Sequence, residues 1–298
     1  MINIVRYTNC PVCGSPEIKL MLSPKDYTVS GQTFPIVECG QCSLRFTQDV
    51  PDERSIGPYY KAESYISHTN TSKGLINRIY KTVRRKTLVR KRKLVEKFTG
   101  KKNGKLLDVG SGTGSFVNEM KQAGWETLGL EPDEDARRIA GEQHQLELAA
   151  PAVLYNLPQE SFDAVTLWHV LEHVHDLNGY IRQLKKILAP AGRLFIAVPN
   201  YTSLDAKIYG EFWAAYDVPR HLYHFSPLSM QTLMEKNGLR IIQYKPMWYD
   251  SFYISLLSSK YKNGRSNLLA AGFNGLRSNI KAMSNVKKCS SLIYIIEK

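Results

Sequence analysis

Between Leu106 and Phe116 the chain reads LLDVGSGTGSF: an apolar run ends in an acid, Asp108, and three glycines follow as GxGxG at Gly110, Gly112 and Gly114. A dinucleotide site spaces its glycines as GxGxxG, so that a pyrophosphate can rest on a helix N-terminus. The spacing here suits S-adenosylmethionine better. That molecule has no phosphate and needs backbone room for its methionine end, with Asp108 as an anion near its ammonium, directly or through water. Downstream, GWETLGLEP places Glu131 after a short apolar strand. A carboxylate there can accept both ribose hydroxyls at the carboxyl end of a strand, where open parallel sheets bind ligands.

Four of the five cysteines form two pairs, CPVCG (Cys10, Cys13) and CGQC (Cys39, Cys42). Each CxxC turn aims two thiolates at one ion, Gly14 and Gly40 relieve the knuckles, and two pairs complete a tetrahedral shell with no open position. The spacing is that of a structural Zn2+ ribbon. An iron site of rubredoxin type and a redox dithiol use the same knuckles. A segment this short has little core of its own, so metal binding would supply much of its folding free energy. Cys289 stands alone and reads as a small buried hydrophobe.

The histidines supply proton chemistry. The stretch YTSLDAKIYGEFWAAYDVPRHLYHFSPLSM follows the strand GRLFIAVPN and gathers Trp213, Tyr216, Arg220, His221, Tyr223 and His224. Such a density at the mouth of a sheet is where a substrate pocket is expected. A histidine with an unperturbed pKa near ~6.5 suits removal of a proton at neutral pH. His221 is the first candidate base, with His169 and His224 behind it. His173 reads as structural. SPLSMQTLMEKNG reads as a helix with Ser226 as N-cap and Pro227 at its first position.

The elements that must hold these residues are strand, turn, helix, turn, strand around the glycines and Glu131. A third segment, FDAVTLWHVLEHV, reads as a buried strand running into a loop, with Trp168 and His169 at its end. In this order the segments resemble the class I S-adenosylmethionine-dependent methyltransferases, over roughly Lys105 to Pro199. The resemblance implies an α/β fold with a Rossmann-like seven-stranded sheet, closed by SLIYIIEK as an antiparallel strand. It also implies S-adenosylmethionine as cofactor, held by Asp108, Gly110, Gly112, Gly114, Glu131, Trp168 and His169.

HLYHFS, His221 to Ser226, is similar to the HLSYFS element of the sugar C-methyltransferases, which also carry a four-cysteine zinc domain. That likeness implies His221 as the base that removes a proton beside a keto group of a nucleotide-linked deoxysugar. The chain departs from the pattern at Val218, where those enzymes carry tyrosine, and lacks their long C-terminal domain. Its shorter architecture is also similar to O-methyltransferases of quinone and polysaccharide pathways. Together these point to methylation of a small or carrier-linked metabolite, a nucleotide- or lipid-linked sugar or polysaccharide precursor foremost. An RNA methyltransferase and a non-catalytic S-adenosylmethionine-binding protein are the alternatives. LWHV after the fourth strand, where base-amine methyltransferases carry an Asn/Asp-Pro-Pro-aromatic element, weighs against one RNA subtype.

Length and charge set the organisation. The 298 residues are 43% hydrophobic, enough to bury a full core with room for about two domains. The boundaries expected are a ribbon at 1–50, a linker, lid and basic helices at 51–104, and a methyltransferase domain at 105–298 with insertions at 200–226 and 248–288. The net charge of +13 lies wholly within Lys61 to Lys105, where Leu75, Ile79, Val83, Leu94, Val95 and Phe98 recur at helical spacing. This basic amphipathic segment can dock on the core, lie on an anionic membrane surface, or bind RNA. From Gly74 on, Tyr80 is the only aromatic residue before Phe98, which weighs against RNA. Tyr59, Tyr60 and Tyr65 either form a lid over the cofactor or pack the ribbon. The 248–288 stretch suits a pocket cover, a dimer contact or a lipid-facing element. With no signal-peptide core and no bilayer-spanning run, the expectation is a cytoplasmic protein, peripheral at a membrane if the basic helix binds lipid.

Overall fold

The structure, a computed structural model, describes residues 3–60, 75–265 and 267–298. In chain order the elements are β1 (Ile4–Val5), β2 (Ile18–Leu22), β3 (Ile36–Cys39), β4 (Arg45–Thr47), β5 (Val50–Pro51), α1 (Leu75–Thr99), β6 (Lys105–Val109), α2 (Ser115–Gln122), β7 (Glu126–Leu130), α3 (Glu134–His144), β8 (Phe162–Trp168), α4 (Leu177–Ile187) and β9 (Leu188–Pro199). They continue as α5 (Leu204–Tyr209), β10 (Tyr223–His224), α6 (Pro227–Lys236), β11 (Arg240–Pro246), α7 (Asp250–Asn263), α8 (Leu268–Ser284) and β12 (Ser291–Glu297). These elements make two compact units. Within the described residues the first takes 3–60, 169–181 and 197–294, and the second takes 75–168, 182–196 and 295–298.

The second unit is built around β6. Leu106 and Leu107 are fully buried, as befits a central parallel strand covered on both faces. Its register with β7 and β8 sets Asp108 opposite Gly129 on one side and Thr166 on the other. Val117, Ala140, Leu146 and Leu148 form a small core beneath α2 and α3. Among the described residues, Leu75–Thr99 of the basic segment form one continuous helix, α1, with Val95 fully buried.

The sheet runs in the order β11-β12-β9-β8-β6-β7, six strands among the described residues where seven were expected. At the edge beyond β7, pairing shrinks to a single parallel bridge between Leu130 and Ala149. Pro151 then opens a 3-10 turn at Pro151–Asn156. A proline has no N–H to extend a ladder, so pairing stops there.

In the first unit, the ribbon is woven into the C-terminal half of the chain. Antiparallel strands β2, β3 and β4 are joined by β10, whose Tyr223 and His224 pair with Phe46 and Arg45. Further ties are Lys236 Nζ donating to the Val12 carbonyl at 3.0 Å and Asn178 Nδ2 donating to the Pro11 carbonyl at 2.7 Å. The helix at SPLSMQTLMEKNG forms as expected: Ser226 accepts from the Ser229 N–H, and Pro227 opens α6.

Candidate active site

In the second unit the glycine loop turns as its spacing requires, with φ of 71°, 53° and 74° at Gly110, Gly112 and Gly114. Among the described residues, a side chain at Gly112 would meet no protein atom within 4 Å. Glu131 is 8% exposed, and its carboxylate accepts the Gly112 N–H at 2.7 Å and the Asp133 N–H at 3.0 Å. The acid at the end of β7 therefore also holds the loop after β6. Asp108 is buried and accepts the Thr166 hydroxyl at 2.6 Å. Burial pushes its carboxyl up to about 6, against the Thr166 hydrogen bond and the Lys91 charge.

Two residues at this loop come from the basic helix, and the sequence did not single them out. Arg84 donates to Ser115 Oγ at 2.7 Å, and the Lys91 ammonium lies 4.2 Å from the Trp168 ring centroid. Their signal was hidden in a run of fifteen basic residues from Lys61 to Lys105, where nothing local separates a loop-facing cation from a solvated one. Trp168 stands edge-on to Phe116 at 5.4 Å, and its buried Nε1 has no hydrogen-bond partner among the described residues.

In the first unit, the residues after β8 meet those around His221. His169 is in the left-handed region, φ 60°, a conformation that costs a non-glycine residue about 1 kcal/mol or more. Its two ring nitrogens face carboxylates, Nε2 at 3.0 Å from Asp250 and Nδ1 at 3.4 Å from Glu172. Burial alone would pull His169 down, but these two acids outweigh it and hold the imidazole up at about 10. A histidine charged at neutral pH has no lone pair to offer. Both acids favour the protonated ring, the opposite of what a base in waiting needs.

Glu172 is fully buried, and among the described residues neither of its carboxylate oxygens accepts a hydrogen bond of normal geometry. Burial would raise its carboxyl, yet His169 beside it holds it below the usual carboxylate range. His173 gives its Nδ1–H to the Arg220 carbonyl at 3.0 Å, with the Tyr60 hydroxyl 3.1 Å away. Burial and the neighbouring His221 pull its pKa down to about 4, so it is neutral.

His221 stacks edge-to-face on His173 at 4.6 Å. Its Nδ1 is 2.8 Å from the Ala215 carbonyl. A carbonyl only accepts, so Nδ1 carries a proton, and Nε2 is the ring atom that can exchange one. Asp217 Oδ2 lies 3.8 Å from that Nε2, and Asp217 is itself gripped by Arg220, whose Nη1 donates to the Tyr59 carbonyl at 3.0 Å. Asp217 also lines a shallow cleft, along with Lys25, Glu211 and the stacked rings of Tyr27 and Tyr261, 4.3 Å apart.

His224 is not in this group. It is 3% exposed, and burial holds its pKa well below the ordinary value. The Thr47 hydroxyl donates to the His221 carbonyl at 2.7 Å, which leaves its oxygen to accept Nε2–H of His224 at 3.1 Å. The Nε2–H is therefore committed, and His224 braces the His221 backbone through Thr47. The other aromatic residues of the expected pocket are internal too: Trp213 Nε1 donates to Asp205 at 2.8 Å, and Tyr216 accepts from Arg45 at 2.9 Å. Tyr59 packs edge-on against Phe34 of the ribbon, and Tyr60 reaches His173. Tyr65, the third lid candidate, lies outside the described residues.

The four ribbon cysteines converge. Sγ atoms of Cys10 and Cys42 are 3.5 Å apart, those of Cys13 and Cys39 are 3.4 Å apart, and all four lie within 4.8 Å of one another. The first knuckle turns at Gly14, φ 82°, as expected. The second turns at Ser43, φ 55°, and not at Gly40.

A glycine loop after a first parallel strand, locked to an acid at the end of the second, defines a Rossmann-like ligand-binding fold of the S-adenosylmethionine type. Residues 81–244 match the family described as "Methyltransferase domain", and the chain belongs to that family. It is similar to the mitochondrial ubiquinone biosynthesis O-methyltransferase of Rattus norvegicus, 29% identical over 167 residues, covering 50% of this chain and 48% of that protein. The ubiquinone biosynthesis O-methyltransferase of Bordetella avium is 29% identical over 173 residues, covering 51% of this chain and 71% of that protein. The chain thus spans about half the length of the mammalian relatives it matches. Among solved structures, a SAM-dependent methyltransferase from Archaeoglobus fulgidus shares the fold, with a TM-score of 0.50 and 20% identity over 72% of this chain and 94% of that one.

Proposed function

We propose that the chain is an S-adenosylmethionine-dependent methyltransferase that methylates a hydroxyl of a small molecule, with His221 as general base. The observation that carries this reading is His221 Nε2, left to exchange a proton by the Nδ1–H donated to Ala215 and flanked by Asp217. The alcohol's proton passes to Nε2 as the oxygen–methyl bond forms. Asp217 and Glu172, both held ionised, favour the resulting imidazolium. Support for oxygen as the acceptor atom comes from the names of the curated relatives. A sugar or polysaccharide-precursor acceptor rests on the HLYHFS segment alone.

S-adenosylmethionine, when bound, supplies an electrophilic methyl on a sulfonium. Among the described residues, the open face at Gly112 and the orphaned Trp168 Nε1 fit a ligand at that loop. Glu131 is assigned to its ribose hydroxyls, Gly110, Gly112 and Gly114 to the room its methionine end needs, and Asp108 to the ammonium side. Arg84 and Lys91 are assigned to its carboxylate. Trp168 and His169 are consecutive in the chain. Holding nucleophile and methyl in line can account for up to about 7–11 kcal/mol of the barrier.

The four cysteines are assigned to one structural Zn2+, a closed thiolate shell that leaves no position for catalysis. The test is transfer of label from methyl-tritiated S-adenosylmethionine to defined acceptors: a catechol-type phenol, a nucleotide-linked keto sugar and total RNA. Base-stable label on the phenol oxygen supports the reading. Label on sugar carbon or RNA replaces it.

A further inference from the structure

The outward face of α8 carries an apolar stripe with no protein against it among the described residues. Leu269, Phe273, Leu276, Ile280 and Met283 are 88%, 61%, 51%, 56% and 77% exposed. At the helical rotation of 100° per residue they fall within an arc of about 80°. Leu268, 72% exposed, and Tyr253 of α7, 60% exposed, extend the patch. The opposite face is the one that packs, through Ala271, Gly275, Ser278, Asn279 and Ala282.

That inner face is committed, so the helix cannot roll its stripe inward. Ser278 donates to Asp205 at 2.6 Å, and Asn279 donates to the Trp248 carbonyl at 2.9 Å. A Cβ at Gly275 would sit 2.8 Å from the Phe252 ring. An exposed stripe on an anchored helix marks an interaction surface and not a packing error.

We propose that this face docks on the surface of an anionic lipid bilayer, with α8 lying in the interface plane. Charge selects that occupant. From Ser251 to Lys288 the chain carries seven lysines and arginines and no acid. Arg277 and Lys281, both exposed, border the stripe on one side, placed to reach headgroups while the apolar residues enter the acyl boundary. A second copy paired through the same stripe would set these cations against their equivalents with no counter-charge. Among the described residues no helix is long and apolar enough to cross a membrane, which fits surface binding. The basic helix α1, by contrast, directs Arg84, Lys91 and Arg92 to partners within its own unit.

Flotation of the full chain with phosphatidylcholine vesicles, with or without phosphatidylglycerol, tests this. The wild type is expected to float with the anionic vesicles only. Leu276→Ser combined with Ile280→Ser, and separately Arg277→Glu combined with Lys281→Glu, should each cut the bound fraction at least ~10-fold. Both pairs alter exposed residues, and the melting temperature checks that the fold survives. Lys86→Glu with Lys93→Glu, on the exposed side of α1, should leave binding intact. The proposal is overturned if the protein does not float, if the α8 variants float like the wild type, or if the α8 stripe instead supports a concentration-dependent dimer that Leu276→Ser abolishes.

Discussion

The hydroxyl of Thr47, the last residue of a ribbon strand, donates to the carbonyl of His221 at 2.7 Å across 174 residues of sequence. The same residue's N–H donates to the Leu222 carbonyl at 2.9 Å. The cysteine-bearing sheet is therefore the floor on which the proposed base stands. Thr47→Val, close in shape, strands the His221 carbonyl and the His224 N–H in a buried site. It should cost about 1–3 kcal/mol in urea unfolding and lower turnover, with cofactor affinity unchanged.

Loss of the metal should act through the same route. Cys42→Ser is expected to abolish stoichiometric zinc binding, lower the melting temperature and slow methyl transfer, because β3 and β4 carry both the cysteine cluster and the partner strand of β10. Zinc content measured beside the melt and the rate checks it. Full activity in a zinc-free, well-folded variant would detach the ribbon from the site.

For His221→Ala the expected loss in turnover is at least ~10²-fold, with the dissociation constant for S-adenosylhomocysteine unchanged. Single-turnover rates with saturating cofactor separate the two quantities. An unaltered rate would remove His221 from catalysis.

His169 gives the protein a pH signature. Its folded pKa, about 10, lies above the ordinary value of 6.5 because Asp250 and Glu172 favour the charged ring over the pull of burial. The stabilisation is complete below pH 6.5 and is lost as pH rises towards 10. The difference in urea midpoint between wild type and His169→Gln should shrink steadily from pH 7 to 10. A difference that stays constant over this range would mean His169 is neutral in the folded protein.

Glu131→Ala removes the acceptor of the Gly112 and Asp133 N–H groups together with the proposed ribose partner. At about 1.5–3 kcal/mol for a hydrogen bond to a charged group, cofactor affinity by calorimetry should weaken at least ~10-fold. The rate at saturating cofactor should fall far less.

The cofactor half was legible in the sequence because its chemistry is local. Three glycines within five residues must turn where they stand, and Glu131 follows one strand-helix-strand interval later. The cysteine cluster was legible for the same reason, since each CxxC pair is its own turn. The resemblance implied seven strands, and six form among the described residues because the Pro151 turn limits the edge to one Leu130–Ala149 bridge.

The roles of the histidines were decided only by tertiary structure. His169, His221 and His224 are alike in type and in apolar neighbourhood along the chain. Distant groups separate them: Asp250 charges the first, the Ala215 carbonyl sets the tautomer of the second, and Thr47 occupies the third. The same holds for α1 and α8, where pattern marks a helix as basic or apolar but cannot say which face the fold covers. Sequence determines what a residue can do over a few turns of chain; the side chains brought to it from afar set its charge, its proton and its exposure.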